Sequence, residues 1–249
     1  MQNNLESVAI TRSPHVVLDL NSRQLKARKI EVLLGLFEEH KKYKLLEVGV
    51  GSGGIAHYFG SHKKFKIDVD AVDVFDNRIV KEGYHFQQVD SCLLPYESNT
   101  FDVVISNHVI EHVGSKQEQL EHLSEIKRVV KVGGCIYFAV PNRWMLIEPH
   151  YKLIFLSWFP RKYRSQYLRH AKGVDFYDCE PLERNELDMM LEYTGFFSEN
   201  ICIKALKETY RIEQPNSLIG KCFCAIPDFI FTPFVSLIPT LIYRLIKIK

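Results

Sequence analysis

The chain has 249 residues, is 46% hydrophobic and carries a formal net charge of +2 at pH 7. This size and composition predict one large α/β domain, or one domain with an appendage, and the charge gives the chain as a whole no polyanion-binding character. The six cysteines are scattered without a C-x-x-C pair, which argues against a zinc site or a disulfide framework and favours a reducing compartment. The N-terminal stretch MQNNLESVAITRSPHVVLDL has no basic segment followed by an apolar core, so we expect no signal peptide.

Strand and helix patterns alternate along most of the chain. Short apolar runs predict buried strands, and apolar residues at helical spacing predict the helices between them. The alternation indicates an α/β fold with a Rossmann-like, doubly wound and mostly parallel sheet, whose ligands lie beyond the carboxyl ends of the strands. A seventh strand has no clear pattern. The predicted strands are Tyr43–Val48, Phe65–Val74, Tyr84–Val89, Phe101–Ser106, Cys135–Val140 and Asn200–Leu206, and the predicted helices are Asn21–Phe37, Ile55–Phe59, Gln117–Val130 and Pro181–Tyr193.

The stretch LLEVGVGSGG, residues 45–54, ends the first strand with an acid and then several glycines. Such a loop lets the backbone approach a nucleotide-like cofactor closely. Gly49, Gly51 and Gly53 fit the G-x-G-x-G pattern of methyltransferases, whereas Gly54 in place of Gly53 gives the G-x-G-x-x-G pattern of dinucleotide enzymes. The glycines alone therefore leave the cofactor open.

Acids at the ends of the next two strands narrow the choice of cofactor. Asp73 ends the second strand, and its carboxylate can accept hydrogen bonds from both ribose hydroxyls, as in either class of enzyme. Asp90 ends the third strand and is followed by LPYESNTFDVVIS. An acid at this position can receive an adenine amino group beside a loop that covers the ring. The pattern favours a cofactor that ends at adenosine and needs no pyrophosphate site.

Five ordered motifs between Lys44 and Val140 resemble the class I S-adenosylmethionine-dependent methyltransferases. They are EVGVGSGG, AVDV, the run from Asp90 to Val104, SNHVIEHV and EIKRVVKVGGCIYFAVPN. The resemblance implies that S-adenosylmethionine is the cofactor. It further implies a methionine end against Glu47, Gly49, Gly51 and Gly53, a ribose on Asp73, an adenine framed by Asp90 and Ser91, and Asn107 under the methionine end.

Catalytic candidates follow the fourth strand. His108, Glu111 and His112 are spaced i, i+3, i+4, so a helix beginning at Asn107 would carry all three on one face near the methyl group. Histidine is a suitable base for removing a hydroxyl proton. Glu111 and His112 equally fit a structural role, in which they hold the neighbouring loop. His150, in IEPHYK, is a further base candidate.

Residues 142–175 after the fifth strand are predicted to form an insertion on the acceptor side, where the resembled family places such segments. Pro149–Gly173 carries six lysines or arginines and no acid, with aromatic residues interleaved. Phosphates, membrane surfaces and nucleic acids all attract such a mixture, but the modest net charge argues against nucleic acid. A lid with packed aromatics and solvated charges is an equal alternative.

Residues 217–249 are predicted to form an apolar C-terminal tail beyond a domain at 1–216. Phe229–Tyr243 is uncharged, and as a helix it would span about 22 Å, less than the roughly 30 Å of a hydrocarbon core. Pro233 and Pro239 would also break it. We therefore expect 227–249 to lie on a membrane surface, with the cations Arg244, Lys247 and Lys249 toward anionic headgroups. A tail packed on the sheet or in a dimer is the alternative.

The acceptor is less defined than the cofactor. PNRWMLIEPHYKLIFLSWFP, residues 141–160, is similar to a segment of methyltransferases associated with cell-surface polysaccharide assembly. This similarity favours O-methylation of a saccharide or lipid-linked glycan, with the protein cytoplasmic and peripheral on the inner face of the membrane. The alternatives are a prenylated, quinone-like phenol or another small-molecule phenol as acceptor, and a regulator that binds S-adenosylmethionine without turnover.

Overall fold

A seven-stranded sheet forms the centre of the computed structural model, which describes residues 19–148 and 150–249. Its strand order is β3-β2-β1-β4-β5-β7-β6. All neighbours from β3 to β5 are parallel, and β7 runs antiparallel to both β5 and β6. The strands are β1 (Lys42–Val48), β2 (Lys66–Asp73), β3 (His85–Gln88), β4 (Phe101–Asn107), β5 (Val130–Pro141), β6 (Phe196–Asn200) and β7 (Thr240–Lys247).

Helices cover the sheet and bury its central strands. The inner strands β1, β4 and β5 are almost continuously buried, because a parallel sheet covered on both faces has no solvent-exposed side. Ser115 and Glu118 form a capping box that fixes the start of the third helix. The helices are α1 (Leu20–Leu34), α2 (Gly54–Gly60), α3 (Lys116–Val129), α4 (Arg161–Lys172), α5 (Arg184–Thr194), α6 (Cys202–Ile212), α7 (Leu218–Ala225) and α8 (Asp228–Phe231).

The predicted fold class is confirmed, and the first five strands lie where the apolar runs place them. The sixth predicted strand, Asn200–Leu206, is wrong, because β6 ends at Asn200 and α6 begins at Cys202. Ile201, Cys202 and Ala205 are buried, and this helical spacing lets one face of α6 pack. The expectation of no signal peptide rests largely on residues 1–18, which lie outside the described residues.

The C-terminal segment contains the seventh strand, so the predicted appended tail needs correction. β7 lies between β5 and β6, with Thr240 opposite Pro141 and Tyr243 opposite Phe138. The expectation that Arg244 and Lys247 face headgroups is wrong. Lys247 is buried and donates to Asn99 Oδ1 and to two backbone carbonyls, while Arg244 lies 3.6 Å from the Glu199 carboxylate. A chain cut before Pro227 would lose an interior strand.

Residues 218–237 differ from β7 because they leave many apolar side chains exposed. This segment contains α7, α8 and a 3₁₀ helix at Thr232–Leu237, and we call it the apolar hairpin. Among the residues described, no single helix is long and apolar enough to cross a membrane. Leu218–Ala225 and Asp228–Leu237 reach that length and apolar character only when taken together, and the two are bent by 103° relative to each other.

Candidate active site

The glycine loop after β1 has the backbone shape that only glycine adopts easily. Gly49, Gly51 and Gly53 all have positive φ. At Gly53, φ is +83°, and a Cβ atom would lie 2.2 Å from the Val80 carbonyl oxygen and 2.4 Å from the Tyr84 hydroxyl. The loop is therefore held against a neighbouring backbone, and α2 begins at the next residue with its N–H groups at the carboxyl edge of the sheet.

Asp73 braces this loop from the end of β2. Its carboxylate accepts hydrogen bonds from the backbone N–H of Gly51 at 2.9 Å and of Val74 at 2.7 Å. Both Asp73 and the loop line one cavity of about 1180 Å³. The acid predicted to hold a ribose is thus positioned by the loop predicted to hold the rest of the cofactor.

Glu47 is a buried carboxyl at the base of the cavity. Its Oε2 atom is buried and has no hydrogen-bond partner among the described residues. Burial raises the pKa of this carboxyl to about 8, although the backbone hydrogen bond from Ala56 and the charge of Arg23 oppose the shift. A cationic ligand group in the cavity would supply the partner that Glu47 lacks.

The other predicted cofactor residues line the same cavity. Asp90 and Ser91 are exposed at one end, and Asn107 lies at the other, where its buried Oδ1 also lacks a hydrogen-bond partner among the described residues. The buried oxygens of Glu47 and Asn107 lack partners among the described residues, the loop has no room for side chains, and acids lie at both ends of the cavity. These features fit S-adenosylmethionine, which has a cationic methionine end and an adenosine end. The individual contacts remain predictions.

The predicted helix from Asn107 is wrong, but two of its residues still meet. β4 continues through Asn107, His108 has a left-handed φ of 60°, and only Ile110–His112 form a 3₁₀ helix. A left-handed residue breaks a helix, so the spacing argument fails. His108 Nδ1 nevertheless lies 3.3 Å from Glu111 Oε1, an ion-pair contact rather than a well-aligned hydrogen bond.

Glu111 is buried behind His108, which lines the cavity. Burial opposes ionisation of Glu111, but its contact with His108 and the charges of His108 and His112 outweigh that effect. The pKa of the Glu111 carboxyl is therefore lowered from its usual value. An ionised carboxylate beside Nδ1 favours a proton on that nitrogen and leaves Nε2 available as a base.

His112 and His150 belong to a second group of side chains on the cavity wall. Cys179 Sγ lies 3.7 Å from His112 Nδ1 and 3.6 Å from His150 Nδ1, and the histidine rings are 5.4 Å apart. His150 Nδ1 lies 2.6 Å from the buried Glu148 carboxylate. Burial acts to lower the pKa of His150, but Glu148 and the nearby acids Glu111 and Asp178 raise it overall.

The insertion is less cationic than its sequence indicates. Arg161 and the buried Arg164 both reach Glu180, and Arg169 pairs with Asp175 at 2.7 Å. Glu180 and Asp175 come after the basic segment in the sequence, and the fold brings them into contact with its arginines. Several aromatic and apolar side chains of the insertion remain exposed, namely Ile147, Ile154, Phe155, Trp158, Phe159 and Tyr163.

Comparison with known families identifies the domain. A family model described as a methyltransferase domain matches residues 46–138, which carry the glycine loop, Asp73, Asp90 and the His108–Glu111 pair. Residues 46–138 form a class I S-adenosylmethionine-dependent methyltransferase domain. S-adenosylmethionine is the cofactor of this domain.

Two curated relatives act on different kinds of acceptor. The methyltransferase is 29% identical over 107 residues to a sarcosine/dimethylglycine N-methyltransferase of Aphanothece halophytica, covering 39% of this chain and 38% of that protein. It is 26% identical over 118 residues to a malonyl-[acyl-carrier protein] O-methyltransferase of Enterobacter lignolyticus, covering 47% and 46%. The matched segment thus spans less than half the length of either relative.

Solved structures extend the likeness over the whole fold. The [4+2]-cyclase SpnF has a TM-score of 0.54 and 16% identity, covering 90% of this chain and 81% of that one. A Haemonchus contortus phosphoethanolamine N-methyltransferase 2 with S-adenosylhomocysteine has a TM-score of 0.51 and 18% identity, covering 89% and 53%. At these identities the likeness concerns the fold alone.

Sequence reasoning missed several residues that line the site. Ser22, Arg23 and Lys26 of α1 line the cavity, although the first helix carried no predicted function. Asp178 also lines it, and Cys179 lies against two of the lining histidines. The basic face of α1 was visible in the sequence, whereas no local pattern marks residues 178–179.

Proposed function

We propose that this methyltransferase methylates an oxygen atom of a saccharide or lipid-linked glycan. The observation that carries this proposal is the His108–Glu111 pair on the wall of the cavity that contains the glycine loop. A hydroxyl acceptor needs a base for its proton, and a positioned base contributes about 10²–10⁴-fold to such a step. A histidine held by a buried carboxylate is suited to that task.

The roles of the chain's own residues follow from this placement. Glu47, Asp73, Asp90 and Asn107 would hold S-adenosylmethionine, which when bound supplies a methyl group whose bonding electron pair stays on sulfur as the new oxygen–carbon bond forms. His108 Nε2 takes the hydroxyl proton, and Glu111 stabilises the resulting imidazolium. The cavity walls orient the acceptor oxygen, and positioning of this kind lowers the barrier to an in-line displacement.

The apolar hairpin supports a lipid-linked acceptor. Leu218, Ile219 and Phe229 are about three quarters exposed, and Phe234 and Leu237 more than half. Several exposed apolar side chains within one short segment are typical of membrane or partner contacts. We therefore also propose that the protein works peripherally on the cytoplasmic face of a membrane.

The hairpin also ends on the cofactor side of the sheet. Asn142 follows β5, and its side-chain amide donates to the backbone carbonyls of Ser236 and Ile238. β5 and the cavity share this carboxyl edge, so a lipid held by the hairpin would carry its headgroup near the methyl-transfer site.

An acceptor screen that measures S-adenosylhomocysteine tests the reaction. We expect turnover with a saccharide or lipid-linked glycan that has a free hydroxyl, and a far smaller rate for His108→Asn. Asparagine tolerates the left-handed backbone at this position. His170→Asn on the exposed face of α4 is the control and should keep the wild-type rate. If only prenylated phenols are methylated, they replace saccharides as the acceptor class. If no acceptor is methylated, the result favours a regulator that binds the cofactor without turnover.

Flotation with anionic liposomes tests the membrane contact separately. We expect Phe229→Ser/Phe234→Ser to lose most of the binding that persists at high salt, because apolar insertion is not screened. Phe197→Ser is a matched control, since Phe197 is an exposed phenylalanine on β6 opposite the far end of β7. Equal flotation of wild type and the double variant would remove the hairpin as a membrane contact.

A further inference from the structure

We propose that His112, His150 and Cys179 bind a divalent transition metal, with zinc as the ion that matches them best. The three side chains offer ligand atoms that lie within 4.8 Å of one another. They come from three separate segments, at intervals of 38 and 29 residues along the chain. The spacing rules that identify zinc motifs in a sequence therefore do not detect them.

The two sulfur–nitrogen distances match those around a tetrahedral ion. Zinc binds cysteine sulfur at about 2.3 Å and histidine nitrogen at about 2.0–2.1 Å, which places the two ligand atoms about 3.5 Å apart at a tetrahedral angle. The observed separations from Cys179 Sγ are 3.7 Å to His112 Nδ1 and 3.6 Å to His150 Nδ1. Both sulfur–nitrogen separations therefore lie within a few tenths of an ångström of the tetrahedral value, and the two histidine nitrogens lie within 4.8 Å of each other.

The surrounding contacts hold the three ligands in place. The backbone N–H of Glu180 donates to the Glu111 carbonyl at 2.7 Å, which ties the Cys179 segment to the turn that carries His112. Glu148 accepts from the Tyr151 backbone N–H at 2.7 Å and also contacts His150. Supporting bonds of this type orient metal ligands in known sites.

Carboxylates near the cluster supply the negative charge that a dication needs. A metal on His150 Nδ1 replaces the hydrogen bond to Glu148, and the Glu148 carboxylate stays beside the ion. Asp178 Oδ1 lies 3.6 Å from Cys179 Sγ, at the same spacing as the nitrogen ligands. On binding, the thiol proton leaves to bulk water, and each neutral histidine keeps its single proton on Nε2 while Nδ1 binds the ion.

The exposed side of the cluster indicates what the metal would do. Cys179 is buried, whereas His112 and His150 are half-buried and line the cofactor cavity together with Asp178. Three protein ligands with a fourth position open to a cavity are typical of catalytic rather than structural zinc. In this position the ion would bind and polarise the acceptor oxygen. That role depends on the proposed methyl transfer, but metal binding does not.

Metal content of the purified full-length protein tests the site without cofactor or acceptor. After expression with added zinc and exhaustive dialysis, we expect near one-to-one zinc in wild type and loss of zinc in Cys179→Ser and His150→Gln. Cys202→Ser is the matched control, because Cys202 is a buried thiol that contacts the Ile242 backbone instead. Retention of zinc by Cys179→Ser would overturn the assignment.

Cobalt substitution gives a readout that does not depend on the stability of a variant. Wild-type protein loaded with Co²⁺ should show a thiolate-to-cobalt charge-transfer band and intense visible bands of tetrahedral geometry. His112→Gln should alter the visible bands and keep the thiolate band, even if Cys179→Ser does not fold. A wild-type protein that takes up neither zinc nor cobalt would contradict the proposal and leave the contacts as thiol–imidazole hydrogen bonds. That outcome would not affect the methyl-transfer assay.

Discussion

The two sides of the cavity are built in different ways. On the cofactor side, each predicted residue lies at the end of a strand, and Glu47, the glycine loop and Asp73 come from two adjacent strands. On the acceptor side, the wall combines a left-handed residue after β4 with the insertion and the segment before α5. Strand ends are fixed by the sheet, whereas the acceptor wall depends on tertiary contacts between distant segments.

This difference matches the separation of tasks in the family. The loop and acids on the cofactor side can be held by backbone geometry common to the fold, and the cyclase SpnF and the Haemonchus contortus N-methyltransferase both share that fold. The acceptor wall is where the chemistry of one particular methyltransferase is determined. Substitutions on the two sides should therefore separate cofactor affinity from turnover.

The largest expected effect is on turnover through the acceptor wall. His108→Asn should lower kcat by about 10²–10⁴-fold, the usual contribution of a positioned base. Its affinity for S-adenosylmethionine should change little, because His108 is predicted to contact the acceptor. Steady-state kinetics combined with calorimetry check this separation. A comparable loss of cofactor affinity would place His108 on the cofactor side instead.

On the cofactor side, Gly53→Ala should weaken S-adenosylmethionine binding by about 100-fold, or about 2.7 kcal/mol. A Cβ atom there would meet the Val80 carbonyl oxygen at 2.2 Å and force the loop to move. Gly173→Ala is the matched control, because Gly173 has a similar φ of +70° with nothing within 4 Å of the added atom. Both variants carry the left-handed penalty, so only a difference between them in calorimetric affinity supports the loop argument. Equal affinities would contradict it.

A smaller effect concerns the pH dependence of cofactor binding. The pKa of Glu47 is about 8 in the free protein, and a cationic methionine end would bind its ionised form better. Affinity should therefore rise about tenfold per pH unit below 8 and level off above it. Calorimetry in buffers of different ionisation enthalpy should show proton release near pH 7. Glu47→Gln should abolish both effects, and a wild-type affinity that is flat from pH 6 to pH 8 would exclude this role.

Folding stability should also depend on pH through the Glu47 carboxyl, but it should fall with rising pH where cofactor affinity rises. The folded-state pKa of Glu47 lies above the usual 4.5, so the folded protein retains the proton after the unfolded chain has released it. The contribution of Glu47 to stability is therefore complete below about pH 4.5 and falls as the pH rises to about 8. Thermal unfolding of wild type and Glu47→Gln should differ more at pH 8 than at pH 5. A difference independent of pH would mean that burial does not raise this pKa.

The sequence predicts the parallel half of the fold and several residues that line the cavity at its strand ends, because strand, loop and acid are adjacent in the chain. It does not reveal β7, since Thr240–Lys247 follows directly on the apolar hairpin and their apolar residues merge into one uncharged run. It also cannot show that Cys179 meets His112 and His150, because only the return of the chain after α4 brings them together. The local sequence pattern determines the parallel strands and their loops, whereas long-range packing determines the position of β7 and the contacts of Cys179.

Isothermal titration of the full-length protein with S-adenosylmethionine and with NAD⁺ tests the central claim most directly. The claim is that the cavity beside Asp73 and Asp90 accepts a cofactor that ends at adenosine. We predict binding of S-adenosylmethionine at a single site, no measurable binding of NAD⁺, and a loss of about 1–3 kcal/mol of S-adenosylmethionine binding in Asp90→Ala. Tight binding of NAD⁺ without binding of S-adenosylmethionine would contradict the account.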